Sequence, residues 1–407
     1  MFVATSMLRD SAAKLVEAGS LAAGAGAYVR AAATSPSVGG PGQSYYDAAD
    51  AYAAAGMRDS AMVALDSAMR YRYHDSAGLL SDSVLTPLHA TPRWRVIRDG
   101  VEENERRFRR EHSDLDRVRI STADIASFWR AFDLAAREQS TDAKANVFLR
   151  EYIAPGSEGL HDFYVKKIRS APRLAKAVEQ YPAFYASLRA ATVQLSDVAP
   201  EIRTVFQRLH QLYPETIYPD VYFVVGAIRS AGTMADYGLL FGAEQNVGGP
   251  EVVVSELSEP LQRIVFARAD LPRTIAHELV HFQQHLATKH TLLDDAEVEG
   301  GATFLADLLV SGRPAPYFMT WGAAHEREVW TRFAKEMNRD DVSNWIGNND
   351  GTARADWPAD LGYFVGYQIC KAYYDQAANK RDAIRTLIAL DDTESILRQS
   401  QYAERFK

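Results

Sequence analysis

TIAHELVHFQQH, residues 274–285, sets two histidines four apart with a glutamate directly after the first. On a helix, residues four apart project from one face, so His277 and His281 can direct ring nitrogens at a single ion. Glu278 stands beside that face, where its carboxylate can take a proton from water activated there. Ile275, Ala276, Leu279 and Val280 flank these residues and predict a helix set into the core. A buried face carrying two histidines and a glutamate needs compensation, which a metal supplies. The alternative is a helix whose polar residues are satisfied by hydrogen bonds within the protein.

A catalytic zinc site takes three protein ligands and keeps an open position. A third ligand further along the same segment would need glycine at 284 and histidine at 287, but the chain has Gln284 and Ala287, which excludes the metzincin arrangement. His285 lies one turn on, too far along the axis to close the site, and is expected at most to line it. The next segment, DDAEVEGGATFLADLLVSG (294–312), offers a glutamate from a second helix. Glu299 is the expected ligand and Glu297 its competitor, because Gly300, Gly301 and Ala302 beside Glu299 allow close approach to the histidine-bearing helix. Phe304, Leu305, Leu308 and Leu309 would anchor this helix, and Asp295 and Asp307 are candidates to orient a ligating histidine.

Working outward, VYFVVGAI (221–228) and YGLLFGAE (237–244) read as strands joined through RSAGTMAD, with EVVVSEL (251–257) as a third. Helical patterns fill most of the rest. STADIASFWRAFDLAA, for example, starts on a Ser-x-x-Asp cap and sets Ile125, Phe128, Trp129 and Phe132 on one face. Near the N-terminus, Tyr45, Ala48, Ala49 and Tyr52, then Ala61, Leu65 and Ala68, occupy the offsets of a tetratricopeptide repeat, with Gly56 at the turn. Ala25, Val29 and Ala32 give a weaker second copy. An unrelated alanine-rich hairpin is the alternative, since three repeats are the usual minimum for independent stability. The expected organisation is a short helical repeat domain over residues 1–100, able to bind a protein partner, and a second domain over 101–407. The expected class is α+β and mostly helical, with a small sheet beside the histidine-bearing helix.

Composition bounds the function. The 407 residues carry a net charge of -8, with 47% hydrophobic and 11% aromatic residues, which fits folded domains and argues against a general nucleic-acid binder. The arginine-rich stretch at 93–112 is interleaved with Glu102, Glu103, Glu105 and Glu111 and reads as an ion-paired, solvated helix. A single cysteine, Cys370, excludes an intrachain disulfide and a cysteine-based metal site. No apolar run is long enough to span a membrane, and MFVATSMLRD lacks the basic and apolar regions of a signal peptide. Location stays open on these grounds.

Several segments together carry a resemblance: ISTADIASFW, REYIAPGSEGL, SAGTMADYGLLFGAE, HELVHFQQ, EGGATFLADLLVSG, AHEREVW and PADLGYFVGYQICKAYY. Over about residues 115–405 the chain resembles the gluzincin zinc peptidases of the peptidase MA clan, in particular a bacterial family of predicted Zn-dependent proteases related to gliding-motility lipoproteins. The resemblance implies a zinc ion, hydrolysis of peptide bonds in a peptide or protein substrate, and an extracytoplasmic location, periplasmic or lipid-anchored. It also implies a donor for the oxyanion of amide hydrolysis from a later helix. Tyr363 in LGYFVGYQI (361–369) is the first candidate and Tyr367 the second, ordinary core tyrosines being the alternative; His325 in AHERE is a weaker one. Gluzincin aminopeptidases carry a Gly-x-Met-Glu-Asn signature on an edge strand before the metal helix. Here Glu244 falls one position early and Gln245 replaces the glutamate, so aminopeptidase action is not implied, although Glu244 could still hold an amine of a peptide lying along that strand. From a different class, the alternative is a partner-binding repeat scaffold with a vestigial or structural zinc site.

Overall fold

The computed structural model describes residues 2–34, 40–235, 238–284, 291–312, 315–348 and 357–407. The fold is α+β and mostly helical, with one small sheet. The chain divides into two compact units, Met1–Gln180 with Asp220–Arg229 and Ala235–Leu240, and Tyr181–Pro219 with Ser230–Met234 and Phe241–Lys407.

In the first unit, helices Phe2–Glu17, Leu21–Thr34, Gly40–Ala54 and Arg58–Arg70 pack each on the next. Small residues make this possible: Ala48, Ala49, Ala61 and Ala68 are fully buried, with Leu65 between them and Tyr45, Tyr52 and Val29 packed against the cluster. Helix Pro92–Glu111 closes the array, adding Trp94, Ile97 and Val101 to the same core. Its outer face is laced by ion pairs, among them Arg98–Glu102, Arg106–Glu103 and Arg109–Glu105.

Four strands are present among the described residues: β1 (Ile120–Ser121), β2 (Asp220–Val224), β3 (Gly232–Ala235) and β4 (Gly238–Gly242), in the order β1-β2-β4-β3. β1 runs parallel to β2, with Ile120 opposite Val221 and Ser121 opposite Tyr222. Every residue of β4 is buried, as expected for an unbroken apolar run in a sheet interior. Three expectations change here. GLLFG is an inner strand rather than an edge; the edge on its side of the sheet is GTMA, which reads in sequence as a connection because its small residues give little strand signal; and 251–257 forms turns, since Glu251, Ser255 and Glu256 interrupt its apolar run. Tyr237, the expected start of the GLLFG strand, lies outside the described residues.

Three helices of the second unit matter most: the histidine helix Leu271–Gln283, the glutamate helix Leu292–Leu309 and the tyrosine helix Leu361–Gln376. The histidine helix carries Pro272 in its first turn, where the missing N–H costs nothing. Its buried Gln283 bonds both the N–H and the C=O of Ile217, at 2.9 and 3.1 Å, and so locks the helix to the chain leading into β2. The glutamate helix opens on a capping box in which Thr291 and Asp294 satisfy each other's backbone N–H groups.

Gly300 and Gly301 face the tyrosine helix and not, as expected, the histidine helix. A Cβ on Gly300 would strike the backbone of Gly366 and Tyr367, and one on Gly366 would strike the carbonyl of Ala296. The reason is helical phase: Glu299 turns toward the histidines, and its neighbours one and two residues on are rotated away from them. Because the obstacle is backbone, Gly366→Ala is expected to destabilise the protein by about 3 kcal/mol, the upper end for overpacking. Urea unfolding would measure it, and an unchanged midpoint would contradict this crossing.

Candidate metal centre

The histidine helix presents His277 and His281 one turn apart, with their Nε2 atoms 2.9 Å from each other and the rings perpendicular. Glu299 closes the triangle, its Oε2 lying 3.1 Å from His281 Nε2 and 3.3 Å from His277 Nε2. Four ligands held tetrahedrally at about 2.0–2.1 Å stand about 3.4 Å apart, so this triangle has nearly the edge length of one zinc coordination face. Among the described residues it is also the set of histidine and carboxyl groups close enough to share an ion.

Proton placement strengthens the fit. His281 Nδ1 lies 2.7 Å from the Gln284 side-chain oxygen, and Gln284 is itself anchored by donating to the Val298 carbonyl at 3.2 Å. His277 Nδ1 lies 3.3 Å from the hydroxyl of Thr303, which donates its own proton to the Glu299 carbonyl at 2.9 Å and is left as an acceptor. Both Nδ1 atoms are therefore placed to carry hydrogen, which turns both Nε2 positions toward the Glu299 carboxylate. Such a set of acceptors requires a cation. The titration behaviour agrees. Burial works to lower the pKa of His281, but Glu299, with smaller help from Glu278 and Gln284, pushes it up to about 9. Burial works to raise the Glu299 carboxyl, yet His281 and His277 hold it well below the usual carboxylate range. In metal-free protein a proton answers the demand that a divalent ion would meet.

One side of the cluster is open, the three side chains keeping 17, 12 and 24% of their surface exposed. Glu278 is near enough for its charge to act on His281 and on Tyr363. Its carboxylate lies against the first residue of the edge strand: a Cβ at Gly232 would come within 2.7 Å of Glu278 Oε1. Tyr363 stacks on His277 with ring centres 6.0 Å apart, close enough to Glu299 for that carboxylate to act on its hydroxyl. Burial first, then the negative charge of Glu299, pushes that phenol well above its ordinary pKa, so it stays a donor.

The other candidates lie as follows. Tyr367 sits one turn beyond Tyr363 and donates to Asp307 at 3.3 Å, while Asp307 also pairs with Arg273 at 3.1 Å. The ring orientation expected of Asp307 or Asp295 falls instead to Gln284 and Thr303. Glu297 is fully buried on the other side of its helix, with no hydrogen-bond partner for either oxygen among the described residues, and burial pushes it well above the usual range. Glu244 is buried at the end of β4, and His325 is exposed, stacked on Trp321. His285 lies outside the described residues. Gln284, Thr303 and Gly232 are the residues that sequence reasoning missed; only the doubled glutamine after the second histidine was a signal. Gln284→Leu is expected to weaken zinc binding about 10–100-fold with the fold intact, the usual effect of losing an orienting partner. Competition against a chromophoric chelator would measure this, and unchanged affinity would contradict the role.

Residues 110–404 match the family described as "Gliding motility protein GldB", and the chain belongs to that family. No curated protein and no solved structure matches it. Among the described residues, no helix is long and apolar enough to cross a membrane.

Proposed function

We propose that this member of the gliding motility protein GldB family is a zinc-dependent peptidase, with His277, His281 and Glu299 holding the ion and Glu278 as general base. The reading rests on one observation: two imidazole Nε2 atoms and a carboxylate oxygen converge within 3.3 Å of one another at a partly exposed cluster, with a second carboxylate, that of Glu278, close enough for its charge to act on His281. A zinc ion bound there would supply Lewis-acid polarisation of a carbonyl and lower the pKa of water.

The chain's own groups account for the remainder. Glu278 takes a proton from the attacking water and returns it to the leaving amine, and its place against Gly232 holds it beside an edge strand. Tyr363 keeps its phenolic proton and can donate it to charge developing on the substrate oxygen. Gln284 and Thr303 set which ring nitrogen of each histidine carries hydrogen. We infer separately, from the lipoprotein sense of the family's short name, GldB_lipo, that the protein works outside the cytoplasm.

Digestion of a peptide library, with new termini identified by mass spectrometry, tests the activity. Cleavage is expected with zinc, lost after chelation and restored on zinc return. Bound zinc without cleavage is the result that the scaffold alternative expects, and it would overturn the peptidase reading.

A further inference from the structure

Helix Tyr317–Ala324 has the sequence YFMTWGAA, yet only Gly322 is fully buried. Tyr317 is 53% exposed, and Phe318, Met319 and Trp321 are half-buried. Single exposed apolar residues need no explanation, but a contiguous set does. The helix is held in a definite place: Gly322 sits on the ring of Phe364 in the tyrosine helix, where any side chain would collide. That contact brings Phe318, one turn earlier, against Tyr363, with ring centres 5.7 Å apart at 57°. Tyr363 in turn lies 6.0 Å from His277. Three rings thus lead from a candidate metal ligand to the apolar helix.

The other aromatic rings of this helix are engaged. Arg263 covers Tyr317 at 5.2 Å, and Trp321 is stacked on His325 at 3.8 Å and meets Trp357 edge-on. Phe318 is half-buried, with its ring against that of Tyr363. Resting on the peptidase reading, we infer that Phe318 is a specificity-determining residue and that the site selects peptides with a large apolar side chain near the bond to be cut. Burying such a side chain against Phe318 removes apolar surface of both partners from water, whereas a charged side chain there would lose hydration with no partner in return.

The test separates binding from turnover. Zinc-loaded Glu278→Gln protein is titrated with fluorescent peptides of one fixed sequence in which each position in turn is Phe, Leu, Gly or Asp. At one position, Phe and Leu peptides are expected to bind about tenfold or more tightly than Gly and Asp peptides, the discrimination typical of an apolar pocket. Adding Phe318→Ala should bring the four within about threefold while leaving Gly-peptide binding unchanged. Phe318→Gln, which keeps side-chain length without apolar character, should do the same and carries the test if the alanine variant loses zinc. Equal binding of all four peptides, a preference that survives both substitutions, or no binding at all would overturn the inference. Turnover by the unsubstituted protein is the separate readout. Its absence alongside a Phe318-dependent preference would contradict hydrolysis and leave the specificity assignment standing.

Discussion

Glu278→Gln is expected to lower turnover about 10²–10⁴-fold, the usual contribution of a positioned general base, while the protein keeps its zinc and its KM changes little. The amide has nearly the size of the carboxylate, so it keeps the contact with Gly232 and the helix packing. What it loses is the ability to accept and return a proton. Because Glu278 is not one of the three converging groups, metal content should not follow the fall in rate. Turnover within tenfold of the unsubstituted protein would remove Glu278 from the chemistry. A parallel loss of zinc would instead make it a ligand.

Glu299→Ala has the opposite signature. It deletes one corner of the triangle and leaves two Nε2 atoms 2.9 Å apart without an anion to balance a dication. Zinc affinity is expected to fall well beyond the about 10–100-fold typical of an orienting residue. The metal-free protein should also report the loss through pH. His281 titrates at about 9 in the fold, against an ordinary 6.5, because of Glu299. A raised pKa contributes stability that is full below the unfolded value and is lost as pH rises through the folded one. Above the ordinary carboxylate range, then, metal-free protein should exceed Glu299→Ala most in stability near pH 6, with the difference vanishing as pH passes about 9. Denaturant unfolding at a series of pH values would show this, and a pH-independent difference would mean that the two groups do not share a proton.

Much of the centre was legible because helical periodicity is a strong constraint. His277 and His281 had to share a face, and Glu278 had to stand beside it. Glu297 and Glu299, two residues apart, had to point nearly opposite ways, so only one could be a ligand. The glycines betrayed a close crossing, but not with which helix, because that depends on how each cylinder is rotated in the packed unit. Gln284 and Thr303 escaped notice for a related reason. Their role depends on ring rotamers that leave Nδ1 facing away from the ion, and sequence does not record rotamers. The edge strand was lost because Gly232–Ala235 is too short and too small to carry an alternating pattern, although its first glycine is what admits Glu278. Asp307 looked like an orienting carboxylate until Arg273 and Tyr367, from two other helices, were seen to hold it.

On the proposed reading, two imidazole nitrogens and one carboxylate hold a single zinc ion with a position left open. X-ray absorption at the zinc edge of the zinc-loaded protein tests it directly. The predicted spectrum has a first shell of about four nitrogen and oxygen neighbours at about 2.0–2.1 Å, with the outer-shell scattering of two histidines and no sulfur. A protein that retains no zinc, or a shell without the imidazole signature, would contradict it.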